Sequence, residues 1–196
     1  MEREVIETPI IGVASTGPRA GKDTYARMLQ SHSGHIPVAY ADPLKAMLKT
    51  LLTYAGVPHP EIEEIINGDK KSLPLDLFNG HSGRTLMQTL GTEWGRQMVD
   101  AELWTRLMER RAKSLVKAGM AVVITDVRFP EERDHVKAMG GLMVYIDNPR
   151  VERTDHQSEG RILPHTCDLV VPNLGDMEEF TASAYESFGL LKGLTA

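Results

Sequence analysis

The sequence predicts an α/β fold, a three-layer sandwich in which a central, mainly parallel five-stranded sheet lies between helices. Four short apolar runs indicate the sheet, at residues 10–14, 121–124, 142–146 and 169–171. They are continuously apolar, which is typical of parallel strands that helices cover on both faces. A weaker fifth strand is predicted over residues 36–40. Helical segments separate these strands, and that alternation favours a doubly wound sheet.

Six helices are predicted between and after the strands. They cover residues 22–31, 43–54, 84–98, 102–118, 130–139 and 178–188. Apolar side chains recur at helical spacing along 84–98 and 102–118, which indicates one buried face on each helix. Asp100 is a candidate N-cap for the second of these helices. Gly140 and Gly141 are a clear stop signal for the helix over 130–139.

Two segments show no regular pattern within the single domain that we expect over residues 1–196. Residues 57–83 are rich in proline, glycine and polar side chains, and we expect an insertion or an acceptor-side flap there. Residues 148–164 have no clean period and contain several arginines. A long irregular segment is usually functional or disordered. We therefore predict a lid over residues 148–164.

Composition and charge exclude several classes of protein. The formal net charge of -5 argues against broad nucleic-acid binding, so we expect no stable nucleic-acid partner. The single cysteine, Cys167, can form no disulfide within the chain and suggests a reducing compartment. No apolar run approaches the roughly 20 residues that a membrane-spanning helix needs. Residues 1–8 lack the layout of a signal peptide, and we expect a cytoplasmic protein without a membrane partner.

The most specific motif is the segment Ser15–Thr24, with the sequence STGPRAGKDT. It follows the first predicted strand and opens the first predicted helix, which is the context that a phosphate loop (P-loop) requires. Backbone N–H groups of such a loop wrap a phosphate, and its lysine reaches the β- and γ-phosphates of a nucleotide. The predicted nucleotide-binding residues are Arg19, Ala20, Gly21, Lys22, Asp23 and Thr24. A glycine-rich turn that merely caps a helix is the structural alternative.

The loop departs from the usual pattern at two positions. Thr16 stands where the first glycine is expected, with Gly17 one residue later, so the first turn of the loop is expected to differ in shape. Asp23 stands where a serine or threonine usually contacts magnesium, and the hydroxyl of Thr24 follows it. Asp23 and Thr24 are therefore the predicted metal-binding residues.

The phosphate loop and several later blocks together resemble the deoxynucleoside monophosphate kinases of phages. The loop shares the variant Gly21-Lys22-Asp23-Thr24 with that family. The later blocks, which match in order and spacing, are RTLMQTLGT at 84–92 with Trp104 after it, TDVR at 125–128 with Glu132, AMG at 138–140, HQSE at 156–159 and DLVVPN at 168–173. The resemblance covers most of the chain and leaves out residues 57–83.

This resemblance implies the P-loop nucleoside monophosphate kinase fold and the transfer of the γ-phosphoryl group from ATP, with Mg²⁺, to a deoxynucleoside monophosphate. It further implies a homodimer and, for a phage-encoded enzyme, the host cytoplasm. The residues that it places at the acceptor nucleotide are Arg84, Trp104, Asp126, Arg128 and Glu132. Asp42, at the end of the second strand, is a further candidate because related kinases use a residue there to contact the acceptor.

Phosphoryl transfer of this kind needs positive charge rather than a general base. The acceptor phosphate has a second pKa of about 6 and is already largely dianionic at neutral pH. Catalysis then depends on positioning and charge neutralisation by lysine, arginine and magnesium. The candidate catalytic residues are Lys22, Arg128 and, from the predicted lid, Arg150 and Arg153.

Several of these residues also have an ordinary structural interpretation. An arginine on a helix, such as Arg84, is usually a solvated side chain. Asp126 could cap the helix that begins near residue 130, although polar residues at this strand end line the ligand crevice in such folds. Trp104 could belong to the core, and Glu132 could satisfy the first turn of its helix.

Three other functions are compatible with a phosphate loop. The first is another small-molecule kinase, such as one that acts on dephospho-coenzyme A. The second is a regulatory nucleotide-dependent switch, although the Asn-Lys-x-Asp guanine motif of GTP switches is absent from the sequence. The third is a non-catalytic nucleotide-binding scaffold, which would tolerate Lys22→Ala.

Overall fold

Five parallel strands form one sheet in the order β2-β3-β1-β4-β5. The structure, a computed structural model, describes residues 9–151 and 162–194. The strands are β1 (Ile10–Ser15), β2 (Ile36–Val38), β3 (Val122–Ile124), β4 (Leu142–Asp147) and β5 (Leu169–Pro172). Every pairing in the sheet is parallel, with Ile11 of β1 opposite both Val123 of β3 and Leu142 of β4. The predicted parallel sheet is confirmed. The weaker strand predicted over residues 36–40 is β2, which is shorter than expected and ends at Val38.

The chain divides into two compact units by its internal contacts. The sheet unit comprises Met1–Ala39 and Met108–Ala196, and the helical unit comprises Tyr40–Leu107. The α-helices are α1 (Lys22–Ser33), α2 (Asp42–Tyr54), α3 (His59–Ile66), α4 (Gly83–Thr89), α5 (Leu103–Lys117), α6 (Pro130–Ala138) and α7 (Met177–Gly193). A π-helix (Leu90–Val99) and the 3-10 turns Asp69–Ser72, Asp76–Phe78 and Pro164–Thr166 complete the described elements.

Side chains of β1 alternate between two layers of helices in the sheet unit. Ile11 packs in a buried cluster with Tyr25 of α1 and Phe188 of α7. At Gly12, an added Cβ would lie 3.1 Å from a methyl carbon of Val136 in α6. Because successive residues of a strand face opposite sides of the sheet, α1 and α7 cover one face and α6 covers the other. The predicted three-layer arrangement is confirmed in this unit.

The helical unit has an apolar core of its own. Its buried residues are Leu48, Leu52, Ile62, Ile65, Ile66 and Met87. The three isoleucines belong to α3, inside the segment 57–83 for which we predicted no regular structure. Their i, i+3, i+4 spacing gives α3 one apolar face, but the helix spans only 8 residues between proline- and glycine-rich stretches. The segment is therefore an integral part of the helical unit's core.

The predicted helix over 84–98 changes its hydrogen-bond pattern halfway. It is α-helical as α4, up to Thr89, and then continues as the π-helix, which ends with the Asp100 N–H donating to the Gly95 carbonyl at 2.9 Å. The indole of Trp104 lies against Gly95 in the space that a Cβ there would fill. Its Nε1 donates to the Gly91 carbonyl at 2.7 Å. A side chain that bonds to helix backbone is a recognised cause of such a departure from α-helical geometry.

The side chain of Asp100 caps the chain just before α5. It accepts a hydrogen bond from the Glu102 N–H at 2.8 Å. Within residues 9–151 and 162–194, no helix is long and apolar enough to cross a membrane.

Candidate active site

The segment between β1 and α1 has the backbone shape of a phosphate loop. Arg19 and Gly21 both have left-handed φ values, of 62° and 114°. A Cβ at Gly21 would lie 2.9 Å from Asn173 Nδ2 and 3.1 Å from the Phe180 ring, so the position requires glycine for both conformation and space. Helix α1 then begins at Lys22, and the Gly21 position before it has no side-chain cap. The amino end of a helix carries a partial positive charge that favours an anion.

Lys22 is folded back over this loop. Its ammonium donates a hydrogen bond to Ser15 Oγ at 2.9 Å, and Ser15 Oγ donates to the Gly17 carbonyl at 2.9 Å. The lysine therefore lies at the start of the helix with its charge directed to the strand end, where a phosphate loop places it.

Thr16, the departure from the usual loop pattern, ties the loop to the end of β4. Its backbone N–H donates to the Ile146 carbonyl at 3.3 Å, and its hydroxyl donates to Asp147 Oδ1 at 3.4 Å. The same hydroxyl accepts from the Asn148 N–H at 3.2 Å. A glycine could make only the backbone bond, so the threonine gives the loop an anchor that the usual pattern lacks.

Two asparagines hold the loop from the ends of neighbouring strands. Asn173 Nδ2 donates to the Ala20 carbonyl at 2.9 Å, and Asn148 Nδ2 approaches the same oxygen at 3.5 Å. The guanidinium of Arg150 donates to Asn173 Oδ1 at 3.2 Å and to its backbone carbonyl at 3.3 Å. Arg150, a predicted lid arginine, is thus engaged with Asn148 and Asn173, while Arg153 lies outside the described residues.

The predicted metal-binding residues lie in the first turn of α1. Asp23 is exposed, and Thr24 Oγ1 accepts a hydrogen bond from Arg27 Nη2 at 3.3 Å. The part of the chain that the structure describes contains no cluster of three or more histidine, cysteine or acidic side chains suited to a metal. A magnesium role for Asp23 and Thr24 stays a prediction.

The turn after β3, here called the β3 turn (residues 125–129), carries the next group of predicted residues. Its Val127 N–H donates to the Val13 carbonyl of β1 at 3.2 Å, which fixes the turn beside the strand that leads into the phosphate loop. Asp126 and Arg128 belong to this turn and are partly exposed. Both loops therefore lie at the carboxyl edge of the sheet, where ligands bind in this architecture.

Glu132 holds the β3 turn in place. It is 3% exposed, and its Oε2 accepts hydrogen bonds from the N–H groups of Arg128, at 2.8 Å, and Phe129, at 3.2 Å. The carboxylate therefore positions the backbone next to Arg128. A direct contact between Glu132 and substrate stays a prediction, and the geometry favours the structural interpretation that the sequence left open.

Three predicted acceptor residues lie in the helical unit. Asp42 is the first residue of α2, and Arg84 is an exposed residue in the first turn of α4 whose Nε donates to Ser72 Oγ at 3.1 Å. Trp104 is 4% exposed and is held by its bond to Gly91. Its indole contributes to packing, so base stacking by Trp104 stays a prediction.

Cys167 does not belong to the site. Burial raises the pKa of its thiol to about 11, which keeps it protonated near neutral pH. The thiolate is the reactive form of cysteine, so this side chain is poorly suited to nucleophilic chemistry.

The sequence did not identify the residues that hold the phosphate loop from a distance. In the sequence Thr16 stands out only as a departure from the usual phosphate-loop pattern, and no supporting role is predicted for Asn148 or Asn173. The sequence offers one hint, since an asparagine lies two residues after the end of each of two predicted strands, at the sheet edge where ligands bind.

The arrangement of sheet, loop and lysine defines a class of protein. A structure of dephospho-CoA kinase from Campylobacter jejuni matches 96% of this chain and 99% of its own length, with a TM-score of 0.53 and 14% sequence identity. At this identity the match supports the fold alone. A parallel sheet in this strand order, with a phosphate loop and Lys22 between β1 and α1, defines the fold of the P-loop kinases.

The chain belongs to the deoxynucleotide monophosphate kinase family, whose sequence profile matches residues 61–183. A homologue from Acanthamoeba polyphaga mimivirus that carries this family's name is 32% identical over 177 residues, which cover 84% of this chain and 88% of the homologue. The deoxynucleoside-5'-monophosphate kinase of Escherichia phage T5 is 33% identical over 51% of this chain and 42% of its own length. The corresponding enzyme of Escherichia phage RB69 is 28% identical over 62% of this chain and 48% of its own length.

The family match begins at residue 61 and so spans most of the segment 57–83, which the resemblance left out. The insertion or acceptor-side flap expected there stays a prediction. The match also begins after the phosphate loop. The assignment of Ser15–Thr24 therefore rests on its own residues and geometry.

Proposed function

We propose that the protein transfers the γ-phosphoryl group of ATP to a deoxynucleoside monophosphate, giving a deoxynucleoside diphosphate for DNA precursor synthesis. The observation that carries the proposal is the phosphate loop with the Lys22 ammonium folded over it, 2.9 Å from Ser15 Oγ. Membership of the family and the activity in the names of its relatives support the choice of acceptor.

The donor end of the reaction is assigned to the phosphate loop. Backbone N–H groups from Arg19 to Thr24 and the amino end of α1 would surround the β- and γ-phosphates of ATP. Gly21 leaves no room for a side chain, so the backbone itself forms the wall of the cradle. Lys22 would neutralise charge that develops on the transferring group, an interaction worth several kcal/mol in related catalytic sites.

Magnesium is proposed to bind at the first turn of α1. Asp23 and Thr24 offer a carboxylate and a hydroxyl there, and Mg²⁺ prefers oxygen ligands and substrate phosphates. The bound ion would supply neutralisation of the negative charge on the donor phosphates.

The acceptor is activated by its own charge. Its phosphate is largely dianionic near pH 7, since its second pKa is about 6, and no side chain has to remove a proton. The obstacle is repulsion between two anions, which arginines can offset by binding phosphate oxygens in pairs. Arg128 is proposed for this task because Glu132 fixes the backbone that carries it.

The remaining acceptor contacts are proposed from the family resemblance. Asp126 follows β3 at the carboxyl edge of the sheet. Asp42 is the first residue of α2, and Arg84 lies in the first turn of α4. Trp104 is proposed to act mainly by packing against the π-helix, since it is 4% exposed. An arginine of the segment 148–164, Arg150 or Arg153, is proposed to close over the reacting groups and exclude water.

The acceptor can be identified directly by an ADP-release assay. The purified protein would be given ATP, Mg²⁺ and, one at a time, all ribo- and deoxyribonucleoside monophosphates and dephospho-coenzyme A. We expect at least one deoxynucleoside monophosphate to be used at least about tenfold faster than dephospho-coenzyme A, a difference of about 1.4 kcal/mol in transition-state binding. Lys22→Ala protein provides the matched blank.

Each other outcome of this assay points to a different function. Use of dephospho-coenzyme A alone would assign the protein to that reaction and overturn the proposal. Release of ADP at the same rate without any acceptor would indicate a nucleotide hydrolase or switch. Preference between bases, and between deoxyribose and ribose, follows from the same measurements.

The biological setting is proposed from the family alone. A homodimer in the host cytoplasm, with no stable nucleic-acid partner, fits a viral enzyme of nucleotide metabolism. Sedimentation of the purified protein at concentrations used in the assay tests the oligomeric state.

A further inference from the structure

Two buried amide side chains converge on one carbonyl oxygen of the phosphate loop. Asn148 and Asn173 are 5% and 8% exposed and directly follow β4 and β5. Both direct Nδ2 to the Ala20 carbonyl, at 3.5 Å and 2.9 Å. Buried polar side chains are costly unless they are hydrogen-bonded, so their placement here needs a reason.

Arg150 determines which end of the Asn173 amide faces the loop. Its guanidinium donates to Asn173 Oδ1 at 3.2 Å, and a guanidinium has no acceptor to offer the amide nitrogen. The oxygen of Asn173 is therefore turned to Arg150 and the NH₂ group to Ala20. Arg150 also donates to Asn148 Oδ1, from its backbone N–H at 3.1 Å and from Nε at 3.4 Å, so one residue contacts both asparagines.

Holding the Ala20 carbonyl also aims the N–H of Gly21. The peptide group is planar and trans, so the carbonyl of one residue and the N–H of the next point in opposite directions. With the Ala20 oxygen fixed on Asn173, the Gly21 N–H points away from Asn173. Ala20, which carries this carbonyl, lies between two residues with left-handed φ values, Arg19 and Gly21. That backbone state is costly for a residue other than glycine, so surrounding contacts must stabilise it at Arg19.

We infer that Asn173, oriented by Arg150 and assisted by Asn148, is a positioning residue that presets the phosphate loop to bind the donor phosphates. We call these three residues the amide clamp. The clamp acts through the loop backbone and not by touching the reacting atoms. Because Arg150 acts within the clamp, the inference leaves closure over the reacting groups, proposed above for Arg150 or Arg153, to Arg153. The inference rests on the proposed function for its effect on catalysis, but its effect on the loop itself does not depend on any activity.

Asn173→Ala is the main test. We expect the KM for ATP to rise about tenfold with the KM for the acceptor unchanged, because only the donor cradle loses an anchor. Amide hydrogen exchange in residues 16–24 of the nucleotide-free protein should become about tenfold faster. Arg133→Ala is the matched control, since Arg133 pairs with its neighbour Asp134 on α6 and should leave both measurements unchanged.

Arg150→Ala separates positioning from direct contact with the transferring phosphate. Arg150 is exposed and acts mainly through Asn173, so we expect a smaller change of the same kind, and in the double variant a change smaller than the product of the two single effects. A large fall in kcat with unchanged loop exchange, multiplying with the Asn173→Ala effect, would overturn the inference for Arg150.

A second variant covers the case in which Asn173→Ala does not fold. Asn173→Asp keeps the shape of the side chain but has no donor for the Ala20 carbonyl, and we expect the same rise in KM and in loop exchange. Wild-type exchange in residues 16–24 of this variant would overturn the amide clamp. If the wild-type protein shows no kinase activity, the proposed function fails, while hydrogen exchange still decides whether the clamp exists.

Discussion

The phosphate loop and the β3 turn lie at the same edge of the sheet but are held by different kinds of contact. The phosphate loop depends on residues far away in the chain, with Asn148 and Asn173 bonding to Ala20 across 128 and 153 positions. The β3 turn also has a long-range backbone bond, from Val127 to Val13, but its side-chain support is Glu132, which bonds to N–H groups three and four residues before it. The side chains that hold the phosphate loop thus come from distant strands, whereas the side chain that holds the β3 turn comes from the helix that follows it.

This difference predicts what each loop loses when the side chain that supports it is removed. A local support such as Glu132 forms with its own helix, so its loss should affect stability and the turn together. A distant support needs the strands β4 and β5 to be in place, so its loss should alter the loop while the rest of the sheet persists. Each loop can be tested through the charged residue proposed to bind a ligand there, and the β3 turn also through its support, Glu132.

The largest expected effect is on the phosphate loop itself. Lys22→Ala should lower kcat/KM by about a thousandfold, because it removes a charge directed at the transferring phosphate, worth about 4 kcal/mol. The melting temperature should stay close to that of the wild type, since the lysine is only partly buried. The ADP-release assay and a thermal melt measure the two quantities.

Lys22→Arg is the matched variant, with the charge kept but the shape changed. It should recover only part of the activity, because an ammonium and a guanidinium reach phosphate oxygens with different geometry. Turnover by Lys22→Ala above a tenth of the wild-type rate would remove the assignment of the phosphate loop.

A smaller effect is expected at the β3 turn, from the residue assigned to the acceptor. Arg128→Ala should lower kcat/KM for the acceptor by about a hundredfold while the KM for ATP stays unchanged, since paired bonds from arginine to phosphate are lost. Steady-state kinetics with each substrate varied in turn measures this. A change confined to the KM for ATP would contradict the division of tasks between the two loops.

The smallest of the three effects concerns the support of the β3 turn. Glu132→Ala should lower the free energy of unfolding by about 2 kcal/mol, because two backbone N–H groups lose a buried acceptor. Glu132→Gln should recover part of this, since an amide oxygen still accepts hydrogen bonds. Urea unfolding measures all variants, with the exposed neighbour Glu131→Ala as control. Equal losses in Glu131→Ala and Glu132→Ala would show that only helix-terminus charge is involved.

Features that depend on neighbouring residues could be predicted from the sequence. The continuously apolar runs predicted strands because a strand buried on both faces has no room for polar side chains. The phosphate loop was found because glycine, lysine and helix start follow one another within ten residues. Glu132 was placed at the acceptor nucleotide by the family resemblance, with a role in its own helix as the alternative, and its hydrogen bonds to the Arg128 and Phe129 N–H groups favour that alternative.

Helix α3 and the π-helix were harder to predict, because the helix and turn preferences of the residues around them are weak or conflicting. Helix α3 was missed because its three isoleucines lie among prolines and glycines that favour turns. The π-helix was predicted as ordinary helix, since the spacing of Leu90, Trp94 and Met98 fits an α-helix. Trp104, which lies beyond the end of the π-helix in the chain, contacts Gly91 and Gly95, and such a contact becomes visible only in the folded protein.

Residue types and short spacings are enough to predict the parallel sheet, the phosphate loop and the place of Lys22 at the start of α1. These patterns extend over a few neighbouring positions, so they can be recognised in the sequence alone. The bonds of Asn148 to Thr16, of Asn148 and Asn173 to Ala20, and of Arg150 to Asn173 become visible only in the folded protein. Thr16 and Ala20 lie more than a hundred positions before the asparagines, and they come within bonding distance because β1, β4 and β5 lie side by side.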